Sequence, residues 1–540
     1  MSQSLTIALA QENFLVGDID GNSGMIVHAA AQAQQQGAQL IVFSELALTG
    51  YPPEDLLLRP SLQPRIEQAL QQIADASQDI AIAVGYPWRE EGKLYNCAGL
   101  WYQGQCLGHY AKQHLPNYQV FDEERYFDAG DTPCVVELLG QRIALTVCED
   151  VWHPGPVEQA AGAGAGLILN LNASPFHIGK QHERLALLSA HARRHNVALL
   201  YVNQVGGQDE LVFDGASFAV AKSGENILQL PAYERTVSYV QWDGHELLPL
   251  SESVPAHTDE LASLYQALVL GVRDYVNKNR FKGVILGLSG GIDSALTLAI
   301  AADALGPERV KAVMMPFTYT SGMSKEDAAE QAETMGVAYE SISIEPMYRE
   351  FMHALAAEFA GLPVDTTEEN LQSRCRGVLL MAISNKTGYM VLTTGNKSEM
   401  AVGYATLYGD MAGGYGALKD VYKTRVFALA EYRNSISPVI PQRVIDRPPS
   451  AELAPDQVDE DSLPPYPVLD AILERYIEQD MSAAAIIRDG FEQDDVMRVL
   501  RLVDVNEYKR RQAPIGVRVT QRGFGRDRRY PVTNGWKAGI

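Results

Sequence analysis

A chain of 540 residues exceeds what one ordinary core supports, so at least two domains are expected, and 46% hydrophobic with 21% charged residues is the balance of a soluble globular protein. A formal net charge of −23 argues against a nucleic-acid surface, so any anionic ligand has to be held by local groups and not by a global field. No run is apolar for long enough to span a bilayer, the opening MSQSLTIALAQENF lacks a basic stretch ahead of an apolar core, and the five cysteines (Cys97, Cys106, Cys134, Cys148, Cys375) contain no C-x-x-C pair; a cytoplasmic chain without membrane association, disulfide framework or zinc site is expected.

The first half alternates short apolar runs with helical ones. LTIALA (Leu5–Ala10), QLIVF (Gln39–Phe43), IAIAVG (Ile80–Gly85), RIALTVC (Arg142–Cys148) and GLILNL (Gly166–Leu171) read as buried strands, and 29–36 and 184–195 as helices. Near-continuous apolar strands indicate sheets covered on both faces. Periodicity is lost over WDGHELLPLSESVPAHTDE (Trp242–Glu260), which predicts a first domain at 1–245, a linker at 246–260 and a second domain at 261–540. The second half opens with a helix over 261–279. Strands follow in GVILG, VKAVMMP and GYMVLTTGN, with helices at 325–335 and 370–385, again an α/β pattern. The remainder is mostly helical and ends in a basic tail, YKRRQAPIGVRVTQRGFGRDRRYP.

The stretch GVILGLSGGIDSALTLAIAADAL, Gly283–Leu305, places a Gly/Ser turn between a strand and a helix. Backbone N–H groups of such a turn converge on an anion, Ser289 and Ser294 add hydroxyls, and the helix offers the positive end of its dipole. The lysine that grips β- and γ-phosphates in a P-loop is missing. The loop therefore suits holding pyrophosphate as a leaving group while attack falls on the α-phosphorus, with Asp293 placed to meet Mg2+ on the phosphates. SGGIDS resembles the signature of the N-type ATP pyrophosphatases. With EENLQSRCRG, TTGNKSEMAVGYATLYGDMAGGY, KDVYKTRV, PPSAELAPDQVDEDSLPPY (448–466) and KRRQAPIG, the segment 261–530 resembles NAD synthetases. The resemblance implies a doubly wound parallel sheet of the adenine nucleotide hydrolase-like type, ATP as co-substrate and Mg2+ as cofactor. It implies ATP contacts from Gly287, Leu288, Ser289, Gly290, Gly291, Ile292, Asp293, Ser294 and Thr394. Asn370, Glu399 and Lys509 would contact deamido-NAD, Asp293 and Glu399 would hold Mg2+, and Asp410 would help shape the site. Arg510, Arg511 and Arg526 read as a solvated tail. The chemistry is adenylation of the nicotinate carboxylate, which neutralises a poor electrophile and supplies AMP as leaving group for ammonia.

Ammonia is mostly protonated in neutral water, so a source within the chain is expected. Cys148 lies where a strand breaks into CEDVWHP, Glu45 ends another strand in FSELALTGYPPEDLL, and Lys112 ends a third in YAKQHLPNYQVFDEERYF. Glu, Lys and Cys at strand ends in that order resemble the carbon–nitrogen hydrolase (nitrilase-like) family over about 5–241, an α-β-β-α sandwich. On that resemblance Cys148 attacks the amide of L-glutamine, Glu45 is the general base and Lys112 stabilises the oxyanion, while Tyr118, Ser174 and Lys180 hold the α-amino and α-carboxylate groups. Taken together the resemblances imply glutamine-dependent, ATP-driven amidation of deamido-NAD and a homo-oligomer built on a dimer of the synthetase domain; because free ammonia would escape or be protonated between two domains, a closed path for it is expected as well. Other readings are an amidotransferase acting on a different acid, a synthetase with an inert N-terminal binding module, and an ATP-sensing regulatory protein.

Overall fold

In the strand Leu5–Gln11, alternate side chains serve two different cores: Leu5, Ile7 and Leu9 belong to one, Ala8 and Ala10 to another. The computed structural model describes residues 4–254, 259–450, 452–454 and 463–536. Residues 255–258 of the expected linker, and 451 and 455–462 of the segment 448–466, lie outside the described residues. The chain divides into two units, Met1–Thr258 and Asp259–Ile540.

The first unit holds a seven-stranded and a six-stranded sheet. Leu5–Gln11, Leu40–Val42 and Ala81–Glu90 run parallel at the centre of one; Gln141–Val147, Leu167–Asn172 and Ala198–Asn203 run parallel at the centre of the other. One core gathers Leu5, Ile7, Leu40 and Val42 with Ile143, Leu145, Leu169 and Leu200, and so lies between the sheets. On the outer faces, the helices Ile19–Gln35 and Leu62–Ala76 cover Ala8, Ile41 and Ile82, and Lys180–His195 covers Ile168, Leu199 and Tyr201. This is the α-β-β-α sandwich, and it explains why these strands read as unbroken apolar runs.

Three differences from expectation have physical causes. The first helix starts at Ile19, ten residues before the apolar stretch that suggested it, because Asp18 accepts a bond from the Gly21 N–H and fixes the N-terminus. The strands Lys93–Tyr102 and Gln105–Ala111 were hidden by polar residues on an edge hairpin. The expected linker at 246–260 is corrected: Leu247–Pro249 forms the edge strand of the larger sheet, pairing with Val240–Trp242, too short to leave a periodic signal.

The second unit has five parallel strands in the order Ala338–Ser341, Val310–Met314, Val284–Gly287, Met390–Thr393 and Tyr415–Gly416. The chain winds outward from Val284–Gly287 first to one side and then to the other, so the switch point lies beside the Gly/Ser turn, where open α/β sheets bind ligands. Helix Thr366–Thr387 packs Cys375 and Leu380 on Ile285, Val313 and Val391. The C-terminal helices Tyr466–Leu473, Ala483–Arg488 and Gln493–Val505 form a further core with Ala401 and Val402; the last buries Val496, Val499, Leu500 and Val503, which accounts for its segregated charges. The basic tail departs from the solvated reading in part. Arg510 is buried on Glu507 and the carbonyls of Met400 and Ala401, and Arg511 bonds Glu507. Gly516 pairs with Gly416 at the sheet edge. Lys397, fully buried, bonds Asp420, Glu478 and the Thr520 hydroxyl, fastening the tail to the strand-end loops.

Gly85 is the close-contact position that bears most directly on function. A Cβ there would lie 2.4 Å from the Leu46 nitrogen and 2.7 Å from the Ser44 carbonyl oxygen, which bracket Glu45. Gly85→Ala is expected to cost about 1–3 kcal/mol by overpacking and to displace Glu45; thermal denaturation and glutamine hydrolysis measured on the same preparation check both effects.

Candidate active sites

In the first unit, Glu45 follows Leu40–Val42, Lys112 follows Gln105–Ala111 and Cys148 follows Gln141–Val147, so all three leave the ends of strands. Glu45 and Lys112 are buried. The Lys112 Nζ donates to Glu45 Oε1 at 2.7 Å and to Glu123 at 2.8 and 2.9 Å. Glu45 accepts two further bonds, from Asn96 Nδ2 to Oε1 at 2.8 Å and from the Ala173 N–H to Oε2 at 3.1 Å, which leaves one acceptor position on Oε2. Tyr51 donates to Glu123 at 2.9 Å. Burial alone would lower the Lys112 pKa, but the charges of Glu123 and Glu45 more than offset it and hold the ammonium well above its ordinary range. Burial likewise pushes the Glu123 carboxyl up, against the pull of Lys112.

Cys148 opens a short 3-10 turn, Cys148–Trp152, with φ +40°, a conformation costly for a residue with a Cβ. Burial, then the charge of Glu45, pushes its thiol well up, Lys112 opposing. The free thiol is therefore protonated at neutral pH and needs an adjacent base. Around it, Tyr118 donates to Glu149 at 3.1 Å, the Ser174 hydroxyl is held by Arg184, and Lys180 lies 3.8 Å from the Trp152 ring centre while bonding Glu183. Burial lowers the Lys180 pKa. Sequence reasoning missed Glu123: in DEE nothing marks the middle acid as the one that turns inward.

In the second unit a cavity of 310 Å³ opens at the switch point. Gly287, Leu288, Ser289, Gly291, Ile292, Asp293, Ser294, Thr394, Glu399 and Asp410 line it. Gly290 is not on the wall. With φ +83° it presses on Ser324, where a Cβ would meet the carbonyl oxygen at 2.3 Å, and this packing shapes the turn. The Ser289 and Ser294 hydroxyls bond one another at 3.0 Å. Asn370 and Lys509 are half-buried and not among its lining residues: Asn370 accepts from the Thr406 hydroxyl, and Lys509 donates to the carbonyls of Gly403 and Ala405. Burial lifts the Asp410 carboxyl to about 6, against bonds from the Thr406 and Met411 N–H groups.

Asp293 and Glu399 meet through a third residue. The buried Lys423 Nζ donates to Asp293 Oδ2 at 2.5 Å and to Glu399 Oε1 at 2.9 Å, while Asn396 Nδ2 donates to Asp293 Oδ1 at 2.8 Å. Burial would lower the Lys423 pKa, but the two carboxylates hold it well above the lysine range. Two hard carboxylates against one ammonium leave one net negative charge in this cluster, and Asp293 and Glu399 offer the oxygen donors that Mg2+ takes. Lys423 lies in KDVYKTRV, a segment whose sequence carried no indication of which lysine turns inward.

Comparison with known proteins follows the same division. The carbon–nitrogen hydrolase family matches residues 6–247 and the NAD synthase family residues 264–513, so the chain joins an amide-hydrolase unit to a nucleotide-dependent synthase unit. It is 52% identical to the glutamine-dependent NAD(+) synthetase of Acinetobacter baylyi over 99% of both chains, and 49% identical to that of Xanthomonas campestris over 99% of this chain and 98% of the other. A solved glutamine-dependent NAD+ synthetase from Acinetobacter baumannii, in complex with adenosine diphosphate, matches with 50% identity, a TM-score of 0.81 and full coverage of both chains. The chain belongs to the glutamine-dependent NAD(+) synthetase family.

The raised Cys148 pKa carries a sign that can be measured. Because the thiolate fraction keeps growing while pH stays below the pKa, alkylation of Cys148 by iodoacetamide should rise about tenfold per pH unit from pH 6 to 9. The rate is read by mass spectrometry of the Cys148 peptide, and a plateau near pH 7 would contradict the assignment.

Proposed function

We propose that the chain releases ammonia from L-glutamine at Cys148 and uses it to convert deamido-NAD to NAD with consumption of ATP. The observation that carries this reading is the buried Glu45–Lys112–Glu123 cluster, whose charges bear on a strand-end cysteine in a left-handed conformation.

The chemistry follows from the environment. A buried protonated thiol is a weak nucleophile, so Glu45 accepts its proton as Sγ attacks the glutamine amide carbon. The carbonyl oxygen gains negative charge, which the Lys112 ammonium stabilises; Glu123 keeps that ammonium charged and fixed. Glu45 then passes the proton to the leaving nitrogen, ammonia departs, and a water deprotonated by Glu45 cleaves the thioester to glutamate. Glu149, Tyr118, Ser174 and Lys180 are the polar groups available for the substrate's α-amino and α-carboxylate groups.

In the second unit, a carboxylate oxygen of deamido-NAD attacks the α-phosphorus of ATP and pyrophosphate leaves. Ammonia then attacks the acyl carbon and AMP departs. The Ser289–Ser294 turn and the N-terminus of Ile292–Leu305 support binding of the phosphates. Mg2+ held by Asp293 and Glu399 would neutralise charge on the departing pyrophosphate. Asn370, Glu399 and Lys509 would contact deamido-NAD, Asn370 and Lys509 from beside the loop 403–406 that they bond. Self-association through the second unit is supported by the exposed apolar Val378 and Met381 of helix Thr366–Thr387 and by Leu362 and Val364 ahead of it. Among the described residues no helix is long and apolar enough to cross a membrane.

NAD formation from deamido-NAD and Mg·ATP, driven by glutamine or by an ammonium salt, tests the division of labour. Cys148→Ala is expected to abolish the glutamine-driven reaction and retain the ammonium-driven one; parental glutamine use by the variant would refute the nucleophile. A second test concerns Lys423. Lys423→Met is expected to cost about 3 kcal/mol because it strands two carboxylates. Added Mg2+ should then raise the melting temperature of the variant more than that of the parent, and equal shifts would remove Asp293 and Glu399 as its ligands.

A further inference from the structure

Asp150 takes no part in the chemistry above, yet its side chain joins the two strand ends that supply that chemistry. Its Oδ1 accepts from the N–H groups of Gln113 at 3.0 Å and His114 at 2.9 Å, the two residues that follow Lys112. Its Oδ2 accepts from the Val147 N–H at 3.0 Å, the residue that precedes Cys148. The carboxylate is fully buried and lies two residues beyond the nucleophile, so the bond to Val147 also closes the turn that holds Cys148 at φ +40°.

The sheet topology gives this link its importance. Lys112 follows the edge strand of the seven-stranded sheet, whereas Cys148 follows a strand of the six-stranded sheet. Hydrogen-bond register aligns residues within each sheet but does not align one sheet against the other. Apolar packing between the sheets is non-directional and tolerates small slips. Directional crossings are needed to set the ammonium relative to the sulfur; the Ala173 N–H bond to Glu45 is one, and Asp150 supplies the one that joins the ends beside Lys112 and Cys148, through three backbone N–H groups. Burial raises its carboxyl to about 6, opposed by the His114 N–H, the Lys112 charge and the Val147 N–H. At neutral pH it is therefore ionised and acceptor-only, as three donors require.

We infer that Asp150 is a positioning residue of the glutamine site, fixing the Lys112 ammonium against the Cys148 sulfur across the two sheets. This inference rests on Cys148 being the nucleophile.

The test uses the full chain with Asp150→Asn, Asp150→Ala and Cys148→Ala, measuring kcat and KM for glutamine hydrolysis, the rate of Cys148 alkylation, and thermal denaturation. Asn keeps an oxygen for Gln113 and His114 but turns an amide donor toward the Val147 N–H; Ala removes every tie. Misplacement of a reacting pair by about 1 Å costs roughly 100-fold in rate. The expected order is therefore parent, then Asn down about 10-fold in kcat, then Ala down about 100-fold, with KM within about threefold and an altered alkylation rate at Cys148. Parental kcat in either variant, with Cys148→Ala inactive, overturns the positioning role while leaving the nucleophile in place. So does a rise in KM at unchanged kcat, or a lower melting temperature with parental kcat in the folded enzyme. If Asp150→Ala does not fold, the near-isosteric Asn variant decides by the same criteria. Parental hydrolysis by Cys148→Ala removes the nucleophile reading and this inference with it.

Discussion

A lysine ammonium enclosed by two carboxylates is the arrangement on which both units depend. Each buried ion loses several kcal/mol of hydration, and only close, well-directed bonds to opposite charges offset that loss. Lys112 has Glu45 and Glu123, and Lys423 has Asp293 and Glu399. In each case three charges sum to −1, and the excess is put to a different use. In the first unit it resides on carboxylates beside a thiol, where a base is wanted. In the second it faces a cavity.

This electrostatic core restricts the fold around it. Carboxylates and ammonium must converge from separate elements: Glu45 and Lys112 are carried just beyond strand ends and Glu123 opens a short 3-10 turn, whereas Asp293, Glu399 and Lys423 each lie in the first turn of a helix. In the first unit Glu45 and Lys112 leave the seven-stranded sheet and Cys148 the six-stranded one; in the second unit the three groups surround one switch point. The price is strain in the backbone at Cys148 and a close contact at Gly85, both tolerated because the surrounding strands are packed on two faces.

Much of this was legible in the sequence, for reasons that differ by element. The central parallel strands are buried on both faces and so announce themselves as apolar runs. Glu45, Lys112 and Cys148 stand out because each interrupts or follows such a run. SGGIDS stands out because glycine, serine and aspartate punctuate a strand–helix junction. Glu123 and Lys423 were not legible, since an acid among acids and a lysine near another lysine acquire meaning only when the chain folds back on them. The edge strands Gln105–Ala111 and Leu247–Pro249 were hidden for a related reason: half of their surroundings is water, or they are too short to show a period. Asn370 and Lys509 bond the loop 403–406, contacts between distant segments that residue type does not encode.

The pairing of Gly516 with Gly416, and of Thr520 with Asp420 and Lys397, bears on the order in which the molecule is made. Every strand of the first unit is translated before Asp259. The second unit is different: Lys397 and Asp420 leave the ribosome well before the tail residues that complete their buried network. Domains fold as units and N-terminal ones first during synthesis. The buried cluster of the first unit thus becomes complete on a growing chain, whereas the sheet edge beside the cavity of the second stays open until the tail arrives. Biogenesis of the two halves is asymmetric in time, and the later half is the one exposed to misassembly.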